Sequence, residues 1–117
     1  MVENGTRPSY DKVDRKVEVM DTPYDRWISS QGIEVIRGFF VEDLYTVPLR
    51  WWDRMGGHGV YIMLDGTGYL DDAYVVGIPA GKSHNPQQHI YEALYYVLDG
   101  RGATSVWTEG GQKQTFE

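Results

Sequence analysis

"GKSHNPQQHIYEALYYVLDGRG", residues 81–102, is the stretch on which the reading of this chain turns. Glycines punctuate it at 81, 100 and 102, and a single histidine, His89, stands near its middle. The run HIYEALYYVL is rich in aromatic and aliphatic residues and predicts a strand. DGRG then places glycines at both ends of a tight connection, and ATSVWTEG follows, which predicts a hairpin. On an extended chain, side chains alternate between faces, so Gln87 and His89 share one face. Glu92 falls on the other, unless a bulge resets the parity.

Working outward, the segments before this stretch carry the same character. IEVIRGFFV, GVYIMLDG and DDAYVVGIPAG are short runs bounded by Gly, Asp or Pro, and each predicts a strand. Ahead of them, DTPYDRWISSQG holds a helix signal: Thr22 as cap, Pro23 in the first turn, Asp25 three residues after the cap and Gly32 to end it. Trp27 and Ile28 are then available for docking. Residues 1–20 mix charges without periodicity and read as a solvated arm. At the other end, GGQKQTFE follows a turn and starts a further strand, which leaves a sheet edge free for another chain. About five closely spaced strands after a short helix predict an antiparallel barrel or sandwich. The domain expectation is an arm with a short helix over 1–32 and a barrel portion over 33–117, incomplete at its C-terminal end.

The spacing of the opening stretch resembles the first motif of the cupin superfamily. That motif runs Gly, five residues, His-x-His, three or four residues, Glu, six residues, Gly. Here the frame is Gly81, five residues, Gln87-x-His89, three residues, Ala93, six residues, Gly100. YYVLDGRGATSVW is similar to the strand–turn–strand that follows the motif in many cupins. The resemblance is most specific over 71–117 and looser over 33–70. It implies an all-β fold: a cupin-type double-stranded β-helix barrel, jelly-roll-like, with an N-terminal arm and one short helix.

The resemblance also implies a site. In cupins, two histidines and a carboxylate of this motif, with a histidine of a second motif, hold one divalent ion such as iron, manganese, nickel or zinc. In this chain His89 keeps its family identity, Gln87 offers only a neutral amide oxygen, and Ala93 offers nothing. Glu92, one position early, is the nearest carboxylate. The candidate metal ligands are therefore His89, Gln87 and Glu92. Each has a plainer alternative: an imidazole hydrogen-bonded inside the barrel, a polar lining residue and a solvent-facing strand residue. Tyr61, Tyr91, Tyr95 and Trp107 are expected to line a ligand pocket with aromatic walls and polar handles. Packing on ordinary strands would use the same residues. No catalytic residue is assigned. The adjacent Trp51 and Trp52 cannot both face one core if the chain is extended there, so one packs inside and the other covers something else.

Composition narrows the classes. A chain of 117 residues makes one small domain. It carries a net charge of −6 with scattered basic residues, which argues against a nucleic-acid partner because phosphates need a positive stripe. No apolar window is long enough to span a membrane, and the first residues lack the order of a signal peptide. The absence of cysteine removes thiolate chemistry and suits a cytoplasmic setting.

Two functions follow as expectations. One is a cupin-domain protein with a small-molecule pocket and a degenerate metal site, binding without turnover. The alternative is a mononuclear-metal cupin enzyme, dioxygenase-, decarboxylase- or isomerase-like, acting on a small organic acid or aromatic compound. The alternative needs ligands from residues beyond this chain. Either way the expected partners are a small-molecule ligand and a second chain, a homo-oligomer or a complementary chain that completes the barrel.

Overall fold

The computed structural model describes residues 22–68 and 70–117. The arm expected at 1–20 lies outside them. Helix α1 spans Pro23–Ser30 and starts on a reciprocal cap. Thr22 Oγ1 accepts from the Asp25 amide at 3.1 Å, and Asp25 Oδ2 accepts from the Thr22 amide at 3.1 Å. Such a cap is worth about 1 kcal/mol. Gln31 closes the helix, and Gly32 follows in the left-handed region at φ +66°, which a residue with a Cβ adopts only with strain. The sequence-level cap reading holds in full.

Strands follow as β1 (Val35–Gly38), β2 (Arg50–Trp52), β3 (Gly57–Leu64), β4 (Asp72–Gly77), β5 (Thr104–Val106) and β6 (Gln114–Phe116). The described residues are mostly strand and irregular chain with one short helix. β3 is the spine. β4 lies antiparallel along it from His58↔Gly77 to Met63↔Asp72. On its other side β2 and β1 lie end to end: β2 antiparallel at Arg50↔Gly59, β1 parallel at Val35↔Tyr61. Glu34 and Arg50 form an exposed ion pair at 3.9 Å across that junction, a contact worth at most about 1 kcal/mol.

Two expectations need correction. The β1–β3 pairing is parallel, so the sheet is mixed where an antiparallel one was expected. A parallel pair needs a crossover connection, and residues 39–56, which include β2, supply it between β1 and β3. The DGRG hairpin is also absent: residues 89–98 join no ladder, and β5 pairs with β6 through the TEGG turn. A turn signal fixes only the local bend, and a strand forms only where a partner edge is at hand. The start of a further strand at the C-terminal end is present as β6. Among the described residues the strands make a four-stranded sheet and a separate two-stranded ribbon, and no closed barrel.

The core lies on the β3 face that carries Gly59, Tyr61 and Met63. Ile28, Trp52, Met55, Tyr61 and Met63 are buried together, with Trp27, Ile33, Tyr74 and Val76 packed against them. Trp52 is 1% exposed and Trp51 55%, so the adjacent indoles split between inside and outside as their alternation requires. Trp51 meets His58 edge-on at 5.5 Å. Trp52 Nε1 donates to Gln31 Oε1 at 2.9 Å, which ties β2 to the end of α1. Truncating so buried an indole costs about 3–5 kcal/mol. No helix among the described residues is long and apolar enough to cross a membrane.

Candidate functional site

Tyr61 on β3 and Tyr74 on β4 are register partners, so their rings stand side by side on the core face, 6.0 Å apart. Trp52 meets both edge-on, at 6.1 Å and 5.7 Å. Helix α1 adds two rings at spacing i, i+3, which puts them on one helix face. Trp27 reaches Tyr61 at 6.3 Å, and Tyr24 reaches it at 6.5 Å. Tyr24 also donates its hydroxyl proton to Asp72 Oδ2 at 2.5 Å. A phenol has one proton to give, so the 2.5 Å contact between Tyr24 and Tyr61 is donated by Tyr61. The result is a directed chain, Tyr61 to Tyr24 to Asp72.

Residues 84–91 approach this wall from the loop side, held by backbone carbonyls of the β2–β3 turn. The Asn85 amide donates to Met55 O at 2.7 Å, and its side chain to Asp53 O at 3.3 Å. Gln87 Nε2 donates to Arg54 O and to Asn85 O, both at 3.0 Å. His84 Nε2 donates to Gly77 O at 3.1 Å, since a carbonyl can only accept. By the same logic His89 Nδ1 carries a proton and donates it to Tyr91 O at 2.8 Å. The His89 ring stacks on Tyr91 with centroids 4.0 Å apart.

Tyr91 and Tyr95 are exposed, and they bear on the buried phenols through their charge. Burial first, then the charge and hydrogen bond of Tyr95, push the Tyr74 phenol up to about 12, with Tyr91 and Tyr61 adding to it. Burial also raises Tyr61; its hydrogen bond with Tyr24 pulls the other way, and Asp72 and Tyr91 add smaller upward effects. Tyr24 is raised by burial and by its bond to Asp72. These phenols keep their protons through the physiological range, and Tyr61 and Tyr24 spend theirs within the chain, so the wall is a set of neutral aromatic planes.

Of the four residues expected to line a pocket, Tyr61 is buried in the core, and Tyr91 and Tyr95 lie exposed on the 89–98 segment. Trp107 lies beyond β5 under Lys113, whose Nζ is 4.3 Å from the ring centre. Of the expected metal ligands, His89 joins the wall through Tyr91, Gln87 spends its amide protons on the β2–β3 turn, and Glu92 is exposed. Among the described residues no group of three or more His, Asp or Glu side chains is gathered within reach of one ion. Sequence reasoning missed Tyr24, Tyr74, Asp72 and Arg54. Alternation in DDAYVVG and the i, i+3 pair in α1 were the available signals. A separate shallow hollow of about 270 Å³, lined by Leu49, His58, Gly77, Ile78 and Pro79, offers one imidazole and no second polar side chain.

No family model matches this chain, and no curated protein or solved structure matches it either.

Proposed function

We propose that this chain is a cupin-type binding module whose tyrosine wall receives a small planar aromatic molecule without turnover. The observation that carries the reading is the convergence of Tyr61, Tyr74, Tyr91 and Tyr95, drawn from two strands and a loop, with burial holding the first two protonated. Aromatic planes supply stacking area, and the exposed hydroxyls of Tyr91 and Tyr95 supply orientation. The glycine spacing around His89 supports the family assignment. Binding also makes the smaller demand on the residues present, because Gln87 and Ala93 stand where the motif has a histidine and a carboxylate.

The test is a fluorescence titration with a panel of small phenols and aromatic acids, followed by Tyr95→Phe and Tyr74→Phe. Saturable binding weakened several-fold by either substitution is the expected result. No saturable binding of any member up to its solubility would end the proposal.

A second chain belongs to the same proposal. Ile90 is fully exposed, and Leu94, Tyr96 and Val97 are largely so, while β5 and β6 form a ribbon exposed on both faces. A lone two-stranded ribbon is marginal in water, and contiguous apolar exposure marks an association surface. Native mass spectrometry should therefore find this chain paired. A single-chain mass at every concentration would remove the partner from the reading.

A further inference from the structure

Arg54 sits one ring away from the tyrosine wall. Its guanidinium carbon lies 5.0 Å from the centre of the Trp27 ring, and Trp27 in turn packs edge-on against Tyr61. The backbone beneath it is unusually well held. Arg54 O accepts from Gln87 Nε2 at 3.0 Å and from Asn85 Nδ2 at 3.4 Å. The amides of the next two residues, Met55 and Gly56, are bonded back to Trp52 O. The side chain is half-buried, and among the described residues no carboxylate pairs with it. Arg37 and Arg50 are different: Asp65 stands 3.3 Å from the first and Glu34 3.9 Å from the second.

The Arg54 guanidinium thus rests on an indole with no carboxylate beside it among the described residues, in a chain of net charge −6. Nearby acids are already engaged. Asp53 Oδ1 accepts from Trp51 Nε1, and both Asp72 oxygens accept, one from Tyr24 and one from the Leu64 amide. Stacking on an aromatic plane leaves the outward edge of a guanidinium free to grip a carboxylate with two parallel hydrogen bonds. Such a pair, beside the half-buried wall, is stronger than the same pair in open water.

We propose that Arg54 anchors the carboxylate of an aromatic acid whose ring lies on the tyrosine wall, and that Gln87 is the positioning residue that holds Arg54 in place. This rests on the wall being a binding surface. It gives Gln87 a task other than metal ligation and narrows the ligand class to aromatic carboxylates.

The experiment compares benzoate with benzyl alcohol, a neutral molecule of similar size, on the whole chain at low salt. Benzoate should bind tighter by on the order of tenfold, because a hydrogen bond to a charged group is the stronger kind. Arg54→Gln should bring the ratio of the two affinities close to one, and Gln87→Ala should lower it part of the way. Added salt should weaken benzoate far more than benzyl alcohol on the unsubstituted chain, a measurement that needs no variant to fold. Equal affinities for the two probes, or a preference for benzoate that survives Arg54→Gln, would overturn the anchor while leaving the wall standing. If neither probe binds, the wall itself falls and the anchor with it.

Discussion

The hydroxyls of Tyr24 and Tyr61 lie 2.5 Å apart, and this contact joins helix α1 to the middle of β3. Tyr24 passes the polarity on to Asp72, at the start of β4. One phenol from the helix thus bridges two strands. Tyr24→Phe would strand the Tyr61 hydroxyl in a buried place and should cost about 1–3 kcal/mol. Tyr61→Phe removes the terminal donor and leaves Tyr24 with Asp72, so about 1 kcal/mol is expected. In urea denaturation the double substitution should cost clearly less than the two singles together. Strict additivity would show that the contact has no energetic meaning.

The raised phenols make stability sensitive to alkali. An ordinary tyrosine loses its proton near 10, and Tyr74 in the fold is pushed up to about 12. Below pH 10 both folded and unfolded forms are protonated, and the contribution of the site is complete. Above it the unfolded chain releases its proton first, so stability declines until the folded form also ionises near pH 12. Tyr24 and Tyr61 act in the same direction. The denaturant midpoint should be flat up to pH 10 and fall beyond it. Tyr74→Phe should make that fall shallower, and an equally steep fall would dismiss Tyr74 as a source.

Gly59 is where the Trp52 indole crosses β3. A Cβ at that position would meet Trp52 Cε3 at 2.8 Å and Val75 O at 3.2 Å. Neither can yield freely, since one is a buried ring and the other is backbone. Gly59→Ala should destabilise the chain by about 1–3 kcal/mol through overpacking, and the Trp52 emission should shift as the ring is displaced. A fully stable Gly59→Ala chain with unchanged emission would contradict this packing.

Legibility in the sequence followed the range of the interaction. The α1 cap could be read because Thr22, Pro23 and Asp25 carry their signal within one turn. The division of labour between Trp51 and Trp52 followed from strand parity alone. The parallel seat of β1 could not be read, because nothing local in IEVIRGFFV encodes which edge of GVYIMLDG it will meet. The hairpin misreading has the same origin: DGRG bends the chain, but the ladder beyond it depends on a partner surface. The site divides similarly. Tyr61, Tyr91 and Tyr95 stood out as aromatics in strand-like runs. Tyr24 and Arg54 reach the wall from a helix and a turn, and only tertiary packing brings them there.

The end-to-end seating of β1 and β2 against β3 also sets an order of assembly. β3 and β4 meet through a short connection, from Met63 to Asp72, and can zip locally. Val35 must find Tyr61 across a loop that contains all of β2, so its closure entropy is larger and its reward comes later. Loop closure alone therefore favours β1, with helix α1, seating after the β3–β4 pair. Until they arrive, Tyr61 lacks its Tyr24 partner, and the aromatic wall is half built.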